Sequence, residues 1–444
     1  MTILEFGKST RVLAAALALI TACSAQTESA DGPDPVAVIL APLAGDSEAH
    51  PKIRRMQKRL RERGISRGDL ERLGWAFVEQ AHALEDAGFY RLAELCGRVL
   101  AAEAGSRDAA RLLRGHALHG LHRFAEAREL AEHLVATRGL PSDYGLLGDV
   151  LLDTGNLSGA ANAYQRMMDL RPDARSHLRA AALRSRSGDL PGAIAAMHTA
   201  IRATGSRNRS QLAWAWAELA RFELEAGSLD ASRTAARRAL QLDANNGTAR
   251  RIRARVHLAD NEWSAARELL LSRRSRKIPT SDLRMLLEAE TELGLWAEVA
   301  ATREALLASA TRSDPRAASV FLASSGIHPE RALALAREEL AARRDAHSLD
   351  AYGWALTVAG RSGEGLTHQR AAMKSGATDP GVALRAGVTA LRASAHAEAR
   401  AWLQTARRGL AALLPSQQRM LNEALEQLSA PEVRERNHNK EITG

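Results

Sequence analysis

Residues 141–174 read PSDYGLLGDVLLDTGNLSGAANAYQRMMDLRPDA, and they set the pattern for the rest of the chain. The stretch predicts a helix, a tight turn and a second helix, with landmarks at Leu147, Gly148, Leu151, Gly155, Leu157, Ala160, Tyr164, Leu170 and Pro172. Gly148 and Ala160 lack bulk, so two helix backbones can approach closely. Gly155 stops the first helix by offering a left-handed turn residue, helped by Asn156. Pro172 ends the second helix. A unit this short cannot bury its apolar faces alone and needs stacked neighbours.

Such neighbours recur along the chain. An apolar residue after the turn and a small residue three later pair as Tyr90/Ala93, Phe124/Ala127, Leu157/Ala160, Leu190/Ala193, Leu229/Ser232, Trp263/Ala266 and Trp296/Val299. Weaker copies follow at Pro329/Ala332, Ser362/Gly365 and His396/Ala399. Successive pairs lie about 33–34 residues apart, except one step of about 39 between Leu190 and Leu229. The extra residues there include TGSRNRS at 204–210, read as a lengthened loop.

The landmarks and the period resemble the tetratricopeptide repeat (TPR) family, whose arrays repeat every 34 residues or so. The resemblance implies an all-α fold, a TPR-type α-solenoid in which about ten helical hairpins stack into a right-handed superhelix over residues 74–413. Composition agrees: 45% of the chain is hydrophobic but only 4% aromatic, which suits close helix packing better than a thick globular core.

Residues 1–22 read as an export signal, with Lys8 and Arg11 ahead of the apolar run VLAAALALI. The segment ends in Leu19-Ile20-Thr21-Ala22-Cys23, which resembles the lipobox of bacterial lipoproteins. That resemblance implies diacylation of Cys23, cleavage just before it, and an outer-membrane destination facing the periplasm, because residue 24 is Ser rather than Asp. The alternative is an ordinary secretory signal cut near Ala25. Residues 23–50 are expected to be a flexible tether containing one unassigned apolar run, VAVILAPLAG. Residues 51–73 begin with PKIRRMQKRLRERG, a basic amphipathic helix that either lies on an anionic membrane or caps the solenoid. A terminal capping helix is expected over 414–430 and a disordered tail over 431–444. Cys96, inside a repeat, is expected to pack as a small hydrophobe.

The formal charge of +9 and pI of 10.1 hint at anionic partners, but the chain carries no nucleic-acid-binding signature. It also lacks HExxH, GxxxxGK[ST] and paired CxxC motifs, so no enzyme, cofactor, metal or small-molecule substrate is expected. By the TPR resemblance, the first helix of each repeat lines a concave groove that takes a protein or peptide partner. Registered on Gly155, the groove positions are His82, Glu85, His116, His119, Asp149 and Asp153 in the early repeats. In the later repeats they are Arg221, Arg251, Arg255 and Arg284. A groove that is acidic and histidine-lined at one end and basic at the other would orient an extended peptide by charge. His116 and His119 with Asp149 are weighed against this as metal ligands, and the arginines as a merely solvated face. Trp75, Trp214 and Trp354 are candidate partner anchors or buried residues, while Trp263 and Trp296 are expected to pack between helices. The function expected is a non-catalytic, lipid-anchored scaffold in the cell envelope. Its alternative is a membrane-anchored or cytoplasmic TPR regulator with an uncleaved N-terminal segment.

Overall fold

The computed structural model describes residues 34–43, 51–84, 86–102, 105–205, 208–272, 278–374 and 379–429. Cys23, the export signal, Glu85 and the tail at 431–444 lie outside the described residues. Among the described residues two helices, α1 (Pro35–Leu40) and α2 (Pro51–Arg63), precede ten helical hairpins. The first helices of the hairpins are α3 (Arg67–Leu84), α5 (Arg107–Gly120), α7 (Pro141–Asp153), α9 (Ala174–Arg186), α11 (Arg209–Glu225), α13 (Gly247–Ala259), α15 (Thr280–Glu292), α17 (Pro315–Ser324), α19 (Ala346–Val358) and α21 (Pro380–Arg392). Their partners are α4 (Ala87–Ala101), α6 (Phe124–Thr137), α8 (Leu157–Leu170), α10 (Leu190–Thr204), α12 (Leu229–Leu242), α14 (Trp263–Leu271), α16 (Trp296–Ser313), α18 (Pro329–Ala342), α20 (Ser362–Lys374) and α22 (His396–Arg408). Among the described residues a 3-10 turn at Leu410–Ala412 and α23 (Pro415–Ser429) come last, and no strand occurs. The fold is an all-α TPR-type solenoid.

Local chemistry places the helix ends. The side chains of Asn156, Asp189, Asn246, Asp314, Asp345 and Asp379 each accept a hydrogen bond from a backbone N–H three residues on, capping α8, α10, α13, α17, α19 and α21. The small residue near the start of each second helix is sealed: Ala93, Ala127, Ala160, Ala193, Ala266, Ala332 and Ala399 expose no surface. Ser232 takes the same place in α12 and donates its hydroxyl to the Ala220 carbonyl at 2.8 Å, so its buried oxygen is not orphaned. Gly148 meets the ring of Tyr164, and any Cβ there would lie 2.2 Å from the ring. Helix α7 thus meets α8 with a glycine set against a tyrosine ring.

Three expectations change. The insertion at 204–210 goes largely into helix: Thr204 ends α10, and Asn208 caps α11 so that Arg209 and Ser210 are already helical. The insertion therefore extends α11 to 17 residues. In the first hairpin α4 starts three residues before Tyr90, because Asp86 caps it through Gly88 N–H at 2.9 Å. Trp296 does not pack between helices but stands 68% exposed at the start of α16.

The N-terminal helices cover the open end of the first hairpin. Ile53 and Leu60 of α2 are buried, and the apolar run unassigned from sequence forms α1, whose Ile39 is 1% exposed. Gln57 joins the two by donating to the carbonyls of Ile39 and Ala41 at 2.8 and 3.0 Å. The basic face of α2 stays in water, with Lys52 paired to Glu79.

Successive turns of the superhelix touch. A Cβ on Gly155 would lie 2.8 Å from the Arg344 carbonyl oxygen, and one on Gly227 2.9 Å from that of Arg408. Arg343 lies 5.7 Å over the Phe124 ring across the same seam. The C-terminal segment crosses the middle of the concave face, where Ala412 and Leu414 join the cores of the central hairpins.

Candidate functional site

The early first helices turn one face into a groove of about 1020 Å³. Helix α3 contributes Trp75, Glu79 and His82; α5 contributes His116 and His119; α7 contributes Asp149 and Asp153; and α9 contributes Arg179. Helix α11 adds Gln211 and Trp214, the latter 41% exposed. Five groove positions named from the sequence, His82, His116, His119, Asp149 and Asp153, thus line one cavity.

Their charges are largely answered within the wall. Arg179 grips Asp149 with two hydrogen bonds, Nε to Oδ1 at 2.8 Å and an Nη to Oδ2 at 2.7 Å. Tyr164 donates its hydroxyl to the same carboxylate at 2.8 Å. Burial raises the Asp149 carboxyl, but the charge and hydrogen bonds of Arg179 together with the neighbouring histidines outweigh it and hold the group below the usual carboxylate range. His119 Nε2 lies 2.9 Å from Asp153 Oδ2, and Arg186 reaches the other oxygen at 3.3 Å. Burial alone would lower His119, yet the hydrogen bond and charge of Asp153 leave it above an ordinary histidine. Its side chain keeps 22% exposure to the groove water although chain atoms crowd around it. His116 behaves oppositely. It stands edge-on to Trp75 at 5.3 Å, and burial pulls it down to about 3, so it is neutral near pH 7.

With Asp149 held by Arg179, the metal reading of His116, His119 and Asp149 loses its carboxylate. Among the described residues no three such side chains come together to hold a metal ion. Cys96 is a buried free thiol whose surroundings push its pKa up, so it packs as an apolar residue. What sequence reading missed were the partners Tyr164, Arg179 and Arg186. One of them was within reach: adding the 33-residue step to Asp153 lands on Arg186.

The four arginines are placed differently from the open basic stripe expected. Arg221 lies between Glu218 and Glu225, with bonds of 2.8 and 2.7 Å. Arg251 pairs with Asp282 at 2.9 Å. Arg255 donates to the Ala412 carbonyl, and Arg255 and Arg284 both line a separate inner cavity beside the C-terminal segment. That segment is fastened by Glu288, which accepts from the Ser416 N–H at 3.0 Å and from its hydroxyl, and by Glu292, which pairs with Arg419 at 2.6 Å. The basic half of the concave face is therefore occupied by the chain itself. Of the tryptophans, Trp75 and Trp214 reach the groove, whereas Trp354 is buried and donates Nε1–H to Ser324 Oγ at 3.0 Å.

No protein-family model and no curated protein matches the chain. Among solved structures, a thermophilic TPR protein of Thermus thermophilus is 19% identical, with a TM-score of 0.37, over 45% of this chain and 98% of its own. The Cut9–Hcn1 hetero-tetramer of the APC/C is 16% identical over 74% of this chain and 73% of that one, at a TM-score of 0.34. YrrB, a TPR protein described as having an unusual peptide-binding site, is 14% identical over 44% of this chain and 96% of its own, at 0.27. Similarities of this size leave the fold to be argued from the chain's own helices, as above.

Proposed function

We propose that the protein is a non-catalytic scaffold that holds a segment of a partner protein in the groove between α3 and α11. The observation that carries this reading is a cavity of about 1020 Å³, mostly apolar, into which Trp75 and Trp214 project. Its wall charges are neutralised in pairs, so the complementary segment brings an aromatic or aliphatic side chain to the tryptophans rather than a run of charge. Polar groups at the rim, His82 and Glu79 among them, fix its orientation.

In the same reading Cys23 carries the lipid and tethers the scaffold to the cell envelope, on the periplasmic side of the outer membrane. The LITAC sequence supports it, as does the small, polar composition between Cys23 and Pro35, which suits a tether. No helix of the described residues is long and apolar enough to cross a membrane. Two or three acyl chains would hold the protein stably.

Two measurements test the parts separately. A photo-crosslinking residue at position 214 should trap an envelope protein, and Trp75→Ala should reduce the yield; the same residue at exposed Arg128 should not trap it. Equal labelling from both positions would refute the groove. The intact mass of the N-terminal peptide from membranes tests the anchor: a diacyl or triacyl adduct on Cys23 is expected. An unmodified start near Ala25 removes the anchor, and an intact Met1 points to the uncleaved form.

A further inference from the structure

A second, smaller cavity of about 220 Å³ lies inside the superhelix, closed on one side by the C-terminal segment. Its wall includes Arg251 and Arg255 of α13, Arg284 of α15 and Arg385 of α21, facing only two carboxylates, Glu225 and Asp379. The pairing behind the wall shows which charges remain. Arg251 is bonded to Asp282, Arg385 to Asp350, and Glu225 shares Arg221 with Glu218. Asp379 also accepts a backbone N–H from Val382 at 2.9 Å as the cap of α21. Arg255 spends a donor on the Ala412 carbonyl, and Arg284 pairs with no carboxylate among the described residues. Two guanidinium groups of the wall, those of Arg255 and Arg284, therefore stand outside any ion pair among the described residues, with Asp379 as the carboxylate beside them. Buried charge of this kind is costly unless something answers it.

Unused donors converge on the same space. Arg385 reaches Asp350 through Nε and one terminal nitrogen, leaving Nη1. The Gln417 side-chain oxygen accepts from the Leu414 N–H at 2.9 Å, which leaves its amide nitrogen as a donor on the wall. Between them sits Gly381: a Cβ there would be 3.4 Å from both Arg385 Nη1 and Gln417 Nε2, and 3.0 Å from Asp379 Oδ1. His347 also lines the cavity, and burial holds it down at about 4, so it stays neutral and supplies no extra charge near pH 7.

We propose that this inner cavity binds a small tetrahedral oxyanion of the phosphate or sulfate class, held by Arg284 and Arg255 with Arg385 and Gln417 completing its donors. Guanidinium groups present paired N–H donors that match such oxygens. The cavity has room for one such ion and a few waters at about 30 Å³ each, not for a helix or an extended peptide. Arg284 has its pKa lowered to about 10, first by burial and then by the charge of Arg385, with Glu288 acting the other way. Three stretches of chain build the wall, at 225–285, 347–385 and 412–417, so the anion ties the two superhelical turns and the C-terminal segment together.

The test is the thermal unfolding of the full chain titrated with sodium phosphate, at ionic strength held constant with sodium chloride. Wild type is expected to gain stability saturably, since a ligand bound only to the folded state stabilises it as its concentration exceeds Kd. Arg284→Met should be at least as stable as wild type without phosphate and should lose the saturable gain, weakening the apparent affinity by at least ~10-fold. Any general salting effect of phosphate acts on both proteins alike and cancels in the comparison. An Arg284→Met protein that is less stable or unfolded without phosphate overturns the proposal, since Arg284 would then be answered by the protein itself. Equal phosphate gains in both proteins, or no saturable gain in wild type, overturn it as well.

Discussion

Four turn glycines share one backbone conformation and differ in what lies beside them. Gly155, Gly227, Gly294 and Gly360 have φ of +84°, +82°, +70° and +82°. A Cβ on Gly294 or Gly360 would meet nothing within 4 Å, whereas one on Gly155 or Gly227 would strike the carbonyl of Arg344 or Arg408 in the next superhelical turn. Alanine at Gly294 or Gly360 should cost only the left-handed penalty, about 1–2 kcal/mol. At Gly155 and Gly227 the obstacle is backbone and cannot rotate away. The turns must part by roughly half an ångström or the contact must break, adding about 1–3 kcal/mol as overpacking does. The superhelix should then loosen along the seam where Arg343 covers Phe124. Small-angle scattering should show a larger radius of gyration for Gly155→Ala and Gly227→Ala at unchanged helix content, and wild-type dimensions for Gly294→Ala and Gly360→Ala. Equal stability losses and equal dimensions across all four would refute the contact between turns.

Two further perturbations address the groove and the N-terminal cap. His119 is raised in the folded state, so its contribution is complete below the unfolded value of about 6.5 and fades as pH rises through the folded one. His116 is lowered to about 3, so the folded state loses stability as pH falls from about 6.5 toward that value. In a denaturation series across pH, His119→Gln should flatten the alkaline limb and His116→Gln the acid limb; an unchanged profile in either variant would remove that histidine from the account. Gln57→Ala strands the Ile39 and Ala41 carbonyls and should cost about 1–3 kcal/mol locally. Protease should then cut residues 34–43 sooner while the hairpins resist, and wild-type cleavage rates would count against α2 as their anchor.

Sequence reading reached as far as local interactions determine the structure. From Phe124 onward, each landmark residue after a turn is the first residue of a second helix, because one turn and its cap set that boundary. The left-handed turn position was less legible than the helices. His122, Asn261 and Ser394 adopt φ of about 60° where other repeats have glycine, so the conformation belongs to the hairpin and not to one residue type. Closure of the superhelix was invisible, since Gly155 and Arg344 meet only after the small rotations between hairpins accumulate. The tryptophans make the same point at the site. Trp214 and Trp354 both lie on first helices, yet Trp354 meets Ser324 and a filled core whereas Trp214 faces the open groove. Five early groove residues could be grouped because adjacent repeats share a register. The fate of Arg255 depended on Ala412, which no repeat spacing connects to it.

That dependence yields the strongest discrimination between a closed and an open basic face. Ala412, Leu413 and Leu414 are 3%, 3% and 6% exposed, so the C-terminal segment is packed as core and not laid on as a loose cover. Leu414→Asp gives up about 1.5–3 kcal/mol of apolar burial and would bury a carboxylate beside the segment's own seat. Release is the cheaper outcome, and it uncovers Arg251, Arg255 and Arg284 together. The substitution makes the protein one charge less basic, so net charge alone predicts weaker retention on a cation-exchange column. Release predicts the reverse, stronger retention with earlier proteolysis near 409–417. Weaker retention with unchanged proteolysis would mean that the segment stays seated or that the arginines never lay beneath it. Stronger retention would establish that the charge on this face is set by whether the chain covers it, and that a partner seeking the basic half must first compete with residues 410–417.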